Sequence, residues 1–157
     1  MVISTKGKYA VLALFYLALH DGQTPLSAEQ ISSDTGISKL YLVQIFTDLR
    51  RGGLITSVAG KNGGYLLADS PEEITVGDAI RCAETDFSLV PCLFAPEACP
   101  TDAAHTCLTR DMWCDMSDAF FAEADSITLH DLTLWWEKER LYYEADSQKQ
   151  VRNPWLD

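Results

Sequence analysis

Positive charge is what this chain has least of. Twelve lysines and arginines stand against 23 aspartates and glutamates, a net charge of −11. Taken whole, that balance argues against a surface built for nucleic acid. Long hydrophobic runs are missing too. The apolar stretch "YAVLALFYLAL" at 9–19 is about half the ~20 residues that a membrane span needs. Lys6 and Lys8 ahead of it imitate a signal peptide, but "HDGQTP" follows where a small-residue cleavage site would stand. The stretch therefore reads as a buried helix. A membrane is excluded as a partner, and the cytoplasm, where thiols stay reduced, is the expected compartment. Also absent are paired carboxylates placed for acid–base work, a nucleophile with its base, a phosphate loop and any internal repeat. Enzymatic activity is not expected.

What charge there is lies unevenly. Residues 1–67 hold six basic groups against four acidic ones, a net of +2, while the remaining 90 hold six against 19, a net of −13. Only the first part could sit on phosphate. It begins with a helix from about Ser4 to Leu19, with Tyr9, Leu12, Ala13, Tyr16 and Leu19 on one stripe. In "LSAEQIS", Ser27 and Gln30 have capping-box spacing for a short second helix that Gly36 stops. Ser38 then caps a third, "KLYLVQIFTDLRR", closed by Gly52-Gly53. Two short helices about a glycine turn are a helix-turn-helix signature.

The segment "LITSVAGKNGGYLLA" alternates at its flanks, and Lys61-Asn62-Gly63-Gly64 offers positive-φ residues for a hairpin. Directly after a helix-turn-helix, such a hairpin is a wing. Thr75 with Asp78 starts a short helix, a proline-containing loop follows, and a long helix is expected from Thr106 with Met112, Trp113, Met116 and Phe120 among its apolar residues. The fold class is thus mostly α with a small β-hairpin wing. It divides into a winged helix-turn-helix DNA-binding domain (1–84), a cysteine-rich loop (85–105), a dimerisation helix with a short helix after it (106–135) and a tail (136–157). A long apolar helix outside a small core wants a partner helix, most simply its own copy in a homodimer. Spacing turns Leu42, Ile45, Phe46 and Leu49 inward and leaves Ser38, Lys39, Tyr41 and Gln44 to read a major groove of double-stranded DNA. Lys6, Lys8, Arg50, Arg51, Lys61, Asn62 and Gly63 would lie along phosphates or the minor groove.

Four of the five cysteines fall within residues 91–114, spaced C-x6-C-x7-C-x6-C. Zinc sites usually pair ligands as C-x2–4-C, and ferredoxin runs are absent. Spacing alone leaves an iron–sulfur cluster, inert thiols and redox-active thiols open. Cys82, on the helix after the wing, reads as a small packed hydrophobe.

"MVISTKGKYAVLAL", "ISSDTGISKLYLVQIFTDLRRGGLITSVAGKNGGYLL", "ITVGDAI", "CLTRDMWCDMSD" and "ITLHDL" resemble the bacterial winged-helix regulators typified by IscR and NsrR, over about Met1–Leu132. The resemblance implies a DNA-binding transcription regulator, a repressor, that dimerises through its long helix. It also implies a 2Fe–2S or 4Fe–4S cluster sensing redox, iron or nitric oxide status, whose cysteine ligands fall on Cys92, Cys99 and Cys107. The fourth ligand does not carry over. The IscR type has a histidine where this chain has Arg110, and the NsrR type an aspartate where it has Lys8. Neither cation is a plausible iron ligand. Cys114 is the leading substitute provided that Cys107 lies outside the regular helix. His105, Asp111 or a residue of a second subunit is the alternative, with Cys114 packed in the dimer seam. The alternative function is a cluster-free thiol/disulfide switch on the same fold. Val43 stands where the IscR type has a glutamate, so an altered sequence preference is expected.

Overall fold

The computed structural model describes residues 3–20, 24–84, 89–99 and 106–145. Helix α1 (Thr5–Leu19) begins where Ser4 Oγ accepts the Gly7 N–H at 3.2 Å. Its buried line is Ala10, Ala13, Leu14, Leu17 and Ala18. Of the expected stripe, only Ala13 is buried, and the others are half-exposed. The helix is apolar on nearly every side, so periodicity cannot select its inner face. Packing selects it instead, because the alanines let neighbouring helices approach closely.

Helix α2 (Ala28–Thr35) opens on the expected capping box. Ser27 Oγ accepts the Gln30 N–H at 3.1 Å, and Gln30 Oε1 accepts the Ser27 N–H at 3.3 Å. Gly36 closes it in the left-handed region at φ +72°. Helix α3 (Lys39–Arg51) is capped by Ser38 and buries Leu42, Ile45, Phe46 and Leu49, the face its spacing predicts. Strands β1 (Ile55–Val58) and β2 (Gly64–Leu67) pair antiparallel, Ile55 opposite Leu67 and Val58 opposite Gly64. Phe46 stacks on Tyr65 of β2 with ring centroids 4.2 Å apart, which fixes the wing against α3.

The wing turn departs from the sequence reading. Its positive φ falls on Gly60, at +115°, rather than on Gly63 or Gly64. Those two answer to space. A Cβ at Gly63 would overlap the Val58 carbonyl oxygen, and one at Gly64 would overlap the Leu26 backbone. Leu26 and Tyr65 exchange two backbone hydrogen bonds of 2.9 and 3.1 Å there.

Helix α4 (Val76–Ala83) carries the Thr75–Asp78 capping box. Helix α5 (Arg110–Ser126) starts one turn later than expected, after a turn at Thr106–Thr109. Helix α6 (Leu129–Ala145) has 17 residues, as many as α5, where a short helix and a tail from 136 were expected. Its "EKERLYYEA" end is rich in strong helix formers, whose polarity imitates a tail. The buried core joins Leu14, Leu17, Ile31, Leu42, Ile45, Phe46, Leu49, Ile55, Ile74 and Leu129. Helix α5 contributes only Ala124 to the buried set and leaves Met112 and Met116 nearly half exposed. No described helix is long and apolar enough to cross a membrane.

Candidate nucleic-acid interface and cysteine loop

The solvent face of α3 presents Ser38, Lys39, Leu40, Val43, Gln44 and Thr47. Ser38 Oγ is engaged as the cap, accepting the Tyr41 N–H at 3.3 Å. Tyr41 is half-buried with its ring edge-on to Tyr9, centroids 5.8 Å apart, so it packs α3 on α1 as well as bordering the surface. Leu40 is 75% exposed on the same face. Attention to polar residues misses it, because nothing local in the sequence separates a bare leucine from a core one.

The cations around this face are mostly committed. Lys39 pairs with Glu29 of α2. Lys6 Nζ lies 2.5 Å from Asp48 Oδ2, and Arg51 takes the other oxygen of the same carboxylate. The Lys6 hydrogen bond, reinforced by the Lys6 and Arg51 charges, holds the Asp48 carboxyl below its ordinary value. Arg50 reaches Ser57 Oγ in the wing at 3.5 Å. Lys8, Lys61 and Asn62 are exposed, and Gly63 is half-exposed between them and β2.

In the cysteine loop, Cys92 lies in a single 3-10 turn, Pro91–Leu93, and Cys99 ends a second, Pro96–Ala98. Cys107 lies in the turn before α5, which meets the condition set for it, and Cys114 is on α5 itself. All five cysteines are half-buried and none is in a disulfide. Cys107 Sγ is 3.3 Å from Thr109 Oγ1, and hydrogen bonding by Thr109 pulls the thiol below its ordinary value. Arg110 donates from Nη1 to the Cys92 carbonyl and from its backbone N–H to the Cys107 carbonyl, each at 3.2 Å. His105 lies outside the described residues. The donors are right for iron–sulfur chemistry, because thiolate is its usual ligand. Among the described residues, however, no three cysteine, histidine or acidic side chains are gathered as a metal-ligand set.

With this geometry in view, the comparisons with known proteins decide the family. The Rrf2 profile, described as an iron-dependent transcriptional regulator, matches residues 3–134. The chain belongs to the Rrf2 family. The HTH-type transcriptional regulator IscR of Pectobacterium carotovorum is 39% identical over 132 residues, covering 84% of this chain and 79% of its own. The solved structure of T. potens IscR superposes with a TM-score of 0.65 at 32% identity, covering 98% of this chain and 94% of that one. The oxidised form of Staphylococcus aureus CymR superposes with a TM-score of 0.63 at 36% identity, covering 84% and 95%. This Rrf2 protein is therefore a DNA-binding transcription regulator with the winged-helix fold, and its relatives are named as regulators rather than enzymes.

In this Rrf2 chain α5, the helix carrying Cys114, is braced on α4. Arg81 of α4 grips Asp125 of α5 with two hydrogen bonds, 2.7 and 2.5 Å, and its guanidinium lies 4.5 Å from the Phe121 ring centroid. Beside it, the Val76 N–H donates to the Ile127 carbonyl and the Leu129 N–H to the Ile74 carbonyl, both at 2.9 Å. On the same helix α4, Cys82 packs so closely on Gly52 that a Cβ there would overlap its sulfur. Burial pushes the Cys82 thiol up, away from reactivity. A side chain of α4 therefore touches the C-cap of α3.

Proposed function

We propose that this Rrf2 regulator is a homodimeric repressor whose affinity for its operator is set by an iron–sulfur cluster on Cys92, Cys99 and Cys107, with Cys114 as fourth ligand. The observation that carries the reading is the attachment of the cysteine loop to the first turn of α5, a helix braced on α4 through Arg81–Asp125. When bound, a cluster supplies iron–thiolate bonds that oxidants or nitric oxide break. The protein's part is mechanical. Holding or freeing the loop shifts the start of α5, and in a dimer joined along α5 that helix sets the separation of the two α3 helices. Helix α5 supports the dimer reading: with one buried residue in 17, it gains little from its own chain. Lys61, Asn62 and Lys8 would then meet phosphate while Gln44 and Leu40 face base edges.

A second reading, a thiol switch, draws on different observations. Arg110 occupies the position of a relative's ligand, Cys107 is acidified by Thr109, and a relative at 36% identity has been solved in an oxidised form. In that reaction two thiols give up two electrons and two protons to a peroxide, which becomes two waters, and a disulfide forms. Both readings share one test. Genomic fragments are selected with protein kept anaerobic and with protein exposed to peroxide or nitric oxide. A changed fragment set, or a tenfold or larger change in affinity for one fragment, is expected. Identical binding in every state would overturn the sensor function in both forms.

A further inference from the structure

We propose that Arg110 is a positioning residue that clamps the cysteine loop onto α5. The proposal deepens the sensor reading and rests on it only for the purpose that the clamp serves. No residue in 89–99 is buried, and both of its 3-10 turns lack a buried side chain, so core packing does not hold this segment. Phe94, its largest side chain, is 64% exposed. Attachment therefore falls to polar contacts, and Arg110 makes two that reach opposite ends of the loop. Its guanidinium donates to the Cys92 carbonyl, 18 residues away, at 3.2 Å. Its backbone N–H donates to the Cys107 carbonyl, also at 3.2 Å, closing the turn that keeps Cys107 out of the regular helix. The first bond is charge-assisted, so it outweighs a neutral one of the same length. Both acceptors are carbonyls of cysteines, not of spacer residues. Any chemistry at either sulfur that turns its backbone must loosen a bond to the first residue of α5. A guanidinium cannot ligate iron, so the residue contributes by holding its neighbours rather than by joining a coordination sphere.

Backbone amide exchange on the full-length protein, stripped of metal by chelation, tests the clamp. Arg110→Ala should speed exchange across 89–99 by about tenfold, the change expected when a half-exposed, charge-assisted bond no longer opposes local opening. Arg110→Lys, whose ammonium can still donate to the Cys92 carbonyl, should recover part of that protection. Peptides from α1 to α4 should exchange as in the parent. The clamp is refuted by unchanged exchange at 89–99 in the alanine variant, by equal acceleration in α3 and α4, or by a lysine variant as unprotected as the alanine one. No iron or sulfide is present in this experiment. A failed cluster reading would appear in the visible spectrum, and a failed clamp only in the exchange rates.

Discussion

Replacing Arg81 or Asp125 removes the ion pair between α4 and α5, and its cost can be worked from the geometry. The two side chains are 43% and 41% exposed, so solvent screens their attraction. Exposed pairs contribute about 0.2–1 kcal/mol, and two-pronged hydrogen bonding places this one in the upper half of that range. The guanidinium over Phe121 adds about 0.5 kcal/mol. Asp125→Ala should therefore cost about 0.5–1 kcal/mol, and Arg81→Ala about 1–1.5 kcal/mol because the interaction with the ring goes as well. The double variant should show a coupling of about 0.5–1 kcal/mol. Arg81 holds the Asp125 carboxyl below its ordinary value of 3.8, so the coupling is complete well above that value and fades as pH falls through the lowered one. Urea unfolding at one fixed protein concentration, at pH 7 and again near pH 3, measures it. Single costs that simply add at pH 7, or a coupling that grows in acid, would show that the pair does not brace α5.

Gln44→Ala should relax preference at one base pair and cost about 1–3 kcal/mol on the preferred sequence, read by anisotropy on single-substituted duplexes. Equal weakening on every duplex would show that Gln44 is no reader. Lys61→Ala should weaken binding to all duplexes and make the logarithmic salt slope shallower by about one unit for each phosphate no longer neutralised. An unaltered slope would remove the wing from the interface. Cys114→Ala should change or abolish the visible spectrum of anaerobic protein whose mass by light scattering matches the parent's, whereas an unchanged spectrum and iron content would return Cys114 to a packing role.

The parts of this fold that were legible in the sequence are those decided within a few residues. Ser27–Gln30, Ser38 and Thr75–Asp78 each place a side-chain acceptor next to a helix's first N–H groups, and all are made as spaced. The buried face of α3 was readable because its apolar residues contrast with polar ones, whereas α1, apolar nearly all round, left its inner face to packing. Gly63 and Gly64 looked like turn residues, but the reason for them lies in Leu26 and Val58, which no local rule brings near. The candidate site divides the same way. The cysteine spacing and exposed Gln44 were visible in the sequence. The ion pair that holds Lys6 on Asp48, and the bond from Arg110 to Cys92, exist only once distant segments meet.

For iron-dependent sensing, the sharpest test is the visible absorption, iron and acid-labile sulfide of protein purified without oxygen. Brown protein is expected, with iron and sulfide in near-equal amounts for each chain. Colour and iron should disappear in Cys92→Ala, Cys99→Ala and Cys107→Ala but persist in Cys82→Ala, whose thiol is occupied in packing on Gly52. Colourless, iron-free protein that still changes its DNA binding on peroxide treatment would rule out the cluster and leave the thiol switch in its place.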